Sequence, residues 1–169
     1  GSGDDLLRPD NGLIGADYID GGDGLDTVDY GLSGATRGIR VDLRIVTAQD
    51  TRGAGRDTIV NIENVTGTRF NDTLIGSSAA NILSGGEGSD NLDGGDGHDV
   101  IEGGSGNDNL KGGIGNDRIA PDNGGTGNDV VNGGIGIDTV DYRNLTGTQG
   151  VQLDLRLTGA QDTKGAGID

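Results

Sequence analysis

A chain of 169 residues with 37 glycines, four aromatic side chains and a formal charge of −16 cannot offset its ordering entropy by apolar burial. The acidity excludes nucleic acid, whose phosphates need Lys and Arg, and disfavours anionic membrane surfaces. Cys is absent, which removes disulfides and thiolate metal sites, and no apolar run reaches transmembrane length.

The acids are lopsided, with Glu63, Glu87 and Glu102 the only glutamates against 25 aspartates. Short-stemmed Asp suits turns and rigid oxygen-rich metal sites.

In chain order, residues 1–29 read as the end of a nonapeptide block, with GLIGADYID from Gly12 and GGDGLDTVD from Gly21. Residues 30–66 form a strand-rich intervening segment: IRVDLRI at 39–45 alternates with the period of a half-buried strand. RGAGRDTIV from Arg52 keeps Asp57, and Ile59, Ile62 and Val65 suggest a strand leading onward.

Residues 67–141 form the main block. It opens with two weak copies, GTRFNDTLI, which keeps Asp72, and GSSAANILS, where Asn81 stands in for Asp. Then come GGEGSDNLD, GGDGHDVIE, GGSGNDNLK and GGIGNDRIA without a gap. After an insertion read as Pro121, Asp122 and Asn123 follow GGTGNDVVN and GGIGIDTVD. Residues 142–169 begin a second intervening segment, since 121–169 align with 9–57 at an offset of 112. The chain thus reads as a truncated tandem array of a 112-residue unit.

Each full copy fits G-G-x-G-x-D-x-U-x, U being a large aliphatic. Glycines at stations one, two and four permit turns closed to residues with a Cβ, and the sixth-station Asp adds a carboxylate. The last three residues predict a minimal strand with one inward aliphatic: Leu92, Ile101, Leu110, Ile119, Val131 and Val140. Two nonapeptides make one coil, so alternate turns stack about 4.8 Å apart and gather oxygens in the number that calcium takes.

The run resembles the RTX family of calcium-binding β-roll proteins, of which this nonapeptide is the signature. Residues 61–90 are similar to the lead-in of serralysin-type rolls, and alginate epimerases and large type I-secreted exoproteins carry similar rolls. The resemblance implies an all-β, right-handed parallel β-roll with calcium ions, about six or more, between stacked turns. The implied sites use sixth-station carboxylates stacked as Asp72 with Asp90, Asp90 with Asp108, Asp108 with Asp129, Asp99 with Asp117, and Asp117 with Asp138. The turns supplying carbonyls carry Gly85, Gly86 and Gly88; Gly94, Gly95 and Gly97; Gly103, Gly104 and Gly106; Gly112, Gly113 and Gly115. They continue with Gly124, Gly125 and Gly127, then Gly133, Gly134 and Gly136. Upstream, Asp17 and the turn of Gly21, Gly22, Gly24 and Asp26 belong to the same set.

The lone His98 reads as a solvated turn residue, and no catalytic constellation can be assembled. Arg37, Arg40, Arg44, Arg52 and Arg56 crowd one stretch, but three of them become Gln149, Gln152 and Ile168 in the second copy. A solvated strand face is the reading that follows. The expectation is a non-enzymatic module that folds on calcium outside the cell, secreted or at the surface, in an adhesin-like exoprotein exported by type I secretion. Its partners are calcium, neighbouring repeats and extracellular polysaccharide, without nucleic acid or membrane insertion. The alternative is an accessory roll of an extracellular protease or polysaccharide-modifying enzyme.

Overall fold

The computed structural model describes residues 1–9, 15–32, 34–122 and 126–142, with the backbone of 152–154. Gly124, Gly125 and most of the segment from 143 onward lie outside the described residues. Every regular element described is a strand, and nearly all pairing is parallel. No described helix is long and apolar enough to cross a membrane.

Two sheets wind along the chain. The first orders β1 (Leu6–Leu7), β3 (Thr27–Asp29), β7 (Asn64–Thr66), β9 (Ile82–Glu87), β11 (Val100–Ser105), β13 (Arg118–Ala120) and β15 (Thr139–Val140). The second orders β4 (Arg40–Asp42), β8 (Thr73–Ile75), β10 (Asn91–Asp96), β12 (Asn109–Ile114), β14 (Val130–Ile135) and β16 (Gln152–Asp154). A small third sheet joins β2 (Tyr18–Asp20), β6 (Arg56–Val60) and β5 (Gln49–Asp50). Successive strands alternate between the two main sheets, so two nonapeptides close one coil of a parallel β-solenoid.

The expected minimal strand is longer than three residues. β9, β10, β11, β12 and β14 each run six residues, from station seven through station three of the next nonapeptide. The cause is register. Gly104 lies opposite Gly86 and Gly113 opposite Gly95, so the glycine pair continues the ladder before the turn bends away.

Side-chain alternation then sets the core. Val28, Val65, Leu83, Ile101, Ile119 and Val140 align as one inward ladder, and Val41, Leu74, Leu92, Leu110 and Val131 form the other, all at most 3% exposed. Each coil of the main block therefore buries only two large aliphatics. That narrow core explains how a Gly-rich chain closes, and why apolar burial alone leaves little cohesion.

The packing of 30–66, open in the sequence, is also explained. β7 lies between β3 and β9, while β4 caps the second sheet beside β8. Val41 and Val65 thus extend the two aliphatic ladders, so β4 and β7 of this stretch join the coil while β5 and β6 lie in the third sheet.

Candidate metal sites

Glycine serves the repeated turn for two separate reasons. At stations two and four the backbone is left-handed, with φ of 106° at Gly86 and 109° at Gly88, a region glycine occupies without a Cβ penalty. At station one the constraint is close approach. A Cβ on Gly85 would collide with Asp90 Oδ2 and, at 2.6 Å, with the Gly103 carbonyl oxygen one coil on. Gly94 repeats this cradle with Asp99 Oδ2 and Gly112 O, and Gly112 repeats it with Asp117 Oδ2 and Gly133 O.

Sixth-station carboxylates stack along each edge. Each Oδ1 accepts the backbone N–H of the corresponding residue one coil earlier: Asp90 to Asp108 at 2.8 Å, Asp108 to Asp129 at 2.9 Å, Asp99 to Asp117 at 2.9 Å and Asp117 to Asp138 at 3.0 Å. Every carboxylate in these columns is at most 2% exposed. The second oxygen is different. Oδ2 of Asp26, Asp90, Asp99, Asp108, Asp117, Asp129 and Asp138 is buried without any hydrogen-bond donor. A buried ionised oxygen left this way is costly, and a column of them adds like-charge repulsion.

The carboxyls respond as that environment demands. Burial, with smaller contributions from stacked neighbours, pushes Asp90 up to about 7 and Asp99 and Asp108 to about 6. Burial also raises Asp117 and Asp129.

The insertion sits differently from the sequence expectation. Pro121 O accepts from Gly104 N at 2.9 Å and takes the station-one place above Gly103, while Thr126 O accepts from Gly106 N at 2.9 Å as a station-three carbonyl. Pro121, read as part of the insertion, is therefore a member of the turn. Asp122 is buried beside Asp129 and is pushed up to about 6 by burial and that neighbour.

Two turns satisfy themselves. Thr68 stands at station two, where other turns have glycine; its N–H donates to Asp72 Oδ2 and its hydroxyl to Asp72 Oδ1. Ser77 does the same for Asn81, donating from both N–H and hydroxyl to Oδ1. Neither residue is left-handed, which turns the station-two N–H toward the carboxyl or amide oxygen. Asn81 further donates Nδ2 to Glu63 O at 2.7 Å. Upstream, Asp57 Oδ1 accepts the Asp17 N–H at 3.1 Å, while its Oδ2 accepts the Thr51 hydroxyl at 2.6 Å and the Tyr30 phenol at 3.4 Å. The structure thus divides the sixth stations into those with a bare Oδ2 and those whose oxygens already have donors. Asp72 belongs to the second class.

Station five, variable in the sequence, carries acceptors that bridge coils. Asn71, Ser89, His98, Asn107 and Asn116 each accept the backbone N–H of the residue stacked on them. His98 therefore holds a turn through Nδ1 at 2.8 Å. In the basic stretch, Arg40 and Arg44 pair with Asp42, which anchors that strand face.

Four gaps in the main block combine a bare Oδ2, a neighbouring station-one carbonyl and a second sixth-station Asp: Asp90/Asp108, Asp108/Asp129, Asp99/Asp117 and Asp117/Asp138. No three acidic or imidazole side chains converge among the described residues, so any cation here relies on backbone carbonyls. Hard oxygens on rigid glycine turns fit calcium better than a soft metal. The RTX calcium-binding nonapeptide repeat, as a four-copy family model, matches residues 66–101, 93–124 and 102–140.

The raised carboxyls give a pH dependence of definite sign. Their values lie above the ordinary 3.8, so protonation favours the ion-free roll; that contribution is complete below pH 3.8 and is lost as pH rises through 6 to 7. A cation needs the ionised form, so its affinity falls by about tenfold per pH unit for each carboxyl that must lose a proton. Circular dichroism without calcium should show more order at pH 5 than at pH 8, while calcium affinity should weaken as pH falls from 8 to 5. An ion-free chain that loses order on acidification contradicts this. In a second test, Thr68→Gly with Phe70→Gly rebuilds a bare-oxygen turn at Asp72 and should add one bound ion by native mass spectrometry; an unchanged count contradicts it.

Proposed function

We propose that the chain is a calcium-rigidified structural module of an exported bacterial protein, the premise being that residues 66–140 match the RTX calcium-binding nonapeptide repeat. The observation that carries this reading is the set of buried Asp Oδ2 atoms without donors, stacked over glycine carbonyls. Asp90, Asp99, Asp108 and Asp117 hold the ions through Oδ2, with Gly103, Gly112, Pro121 and Gly133 offering carbonyls. Calcium supplies the charge that relieves the stacked carboxylates and joins adjacent coils where the two-aliphatic core cannot.

Export follows from the same balance. A chain of charge −16 remains extended where calcium is scarce and folds where it is plentiful. Extracellular calcium modules bind with dissociation constants of about 10⁻⁴–10⁻³ M, which suits a switch thrown on leaving the cell. Type I secretion of an unfolded chain fits this behaviour. The 112-residue repeat supports a stalk in a surface or adhesin-like exoprotein, with neighbouring repeats as its structural partners. No catalytic role is assigned to these residues.

Circular dichroism should change from a disordered spectrum in chelator to a β spectrum in millimolar calcium. Asp108 borders two gaps, so Asp108→Ala should cost more than one ion. An identical spectrum in both conditions, or loss of at most one weakly held ion, contradicts the reading.

A further inference from the structure

The described carboxylate columns contain one more bare Oδ2 with a complete partner turn, and it lies outside the matched repeats. Asp26 is fully buried, its Oδ1 accepts the Asp5 N–H at 2.7 Å, and its Oδ2 has no donor. The cradle around it repeats the others. A Cβ on Gly21 would collide with Asp26 Oδ2 and with the Asn61 carbonyl oxygen, as one on Gly94 would with Asp99 Oδ2 and Gly112 O. Asn61 therefore occupies a station-one place, and the ladder agrees: Gly21 N donates to Val60 O just as Gly67 N donates to Ser84 O.

The station-six place of this coil is filled by Glu63. Its Oε2 accepts the Asp26 N–H at 2.8 Å, the bond that sixth-station Asp Oδ1 makes elsewhere. Three residues, Asn61-Ile62-Glu63, thus span what six span in GGxGxD. The shortened turn is possible because Asn61 takes a left-handed φ of 51°, which Asn tolerates better than most residues, and because Ile62 is buried as an anchor. Glu adds the methylene that lets a carboxylate reach from the tighter turn.

We propose that Asp26 Oδ2, the Asn61 carbonyl and the Glu63 carboxylate form a divalent-cation site of the calcium class, joining the upstream turn 21–26 to the strand-rich segment. The site rests on the calcium reading of the main block but uses no nonapeptide for its second half. It ties β3 to β7 across a connection of 34 residues between Asp29 and Asn64, the least local step in the first sheet. The next gap, Glu63/Asn81, takes no ion, because the Asn81 amide already donates to Glu63 O.

Native mass spectrometry in calcium chloride, with isothermal titration, tests the assignment on the whole chain. Glu63→Gln keeps an acceptor for the Asp26 N–H but loses the charge, and should remove one ion or weaken it at least tenfold. The exposed Glu87→Gln should leave the count unchanged. Asp26→Asn provides a second route: its amide can donate where the cation binds, as Asn81 does, so the roll persists with one ion fewer. A wild type that binds calcium while both variants keep its count and affinities overturns this site alone. A wild type that takes up no calcium overturns this site together with the general reading.

Discussion

The structure depends on one constraint: stacked carboxylates are held about one strand spacing apart in a dry edge, each with one oxygen bonded and one bare. The bonded oxygen is structural. By accepting the N–H of the previous coil, Oδ1 fixes the register of Asp90 on Asp108 and Asp99 on Asp117. The bare oxygen is the source of instability in the ion-free chain and of affinity in the ion-bound one. Both properties come from the same residue, so folding and metal binding cannot be separated in the main block.

The choice between bare and satisfied oxygens is made at station two. Glycine there adopts a left-handed φ that keeps the N–H from the carboxylate; Thr68 and Ser77 do not, and their N–H groups reach Asp72 and Asn81. The turns at 67–72 and 76–81 consequently behave as protein-closed coils between cation-dependent regions. Asp57 reaches the same end by another route, through Thr51 and Tyr30. The fold therefore has an order of dependence on calcium along its length, strongest from Asp90 to Asp138.

Much of this was legible because the nonapeptide is a local rule with a fixed stacking period. Inward aliphatics such as Leu92 and Ile101, the all-β parallel coil and the stacking of Asp99 on Asp117 follow from counting. What escaped counting depends on contacts between distant segments. Glu63 has no motif around it, and its place is fixed by Asp26 across 37 residues. The six-residue strands were missed because glycine pairs read as turn residues alone, although Gly86 and Gly104 pair within the sheet. Pro121 reads as insertion because GGTGND at 124–129 fits a full copy, whereas its carbonyl takes the station-one place above Gly103. The Thr68 signal was visible as a glycine replaced at station two, but its meaning lies in the direction of one N–H.

The most direct test is anomalous scattering from crystals of the calcium-bound chain. The account predicts peaks in the Asp90/Asp108, Asp108/Asp129, Asp99/Asp117 and Asp117/Asp138 gaps, and none beside Thr68 at Asp72 or beside Ser77 at Asn81. Peaks at the two self-satisfied turns, or their absence from the four bare-oxygen gaps, would contradict it.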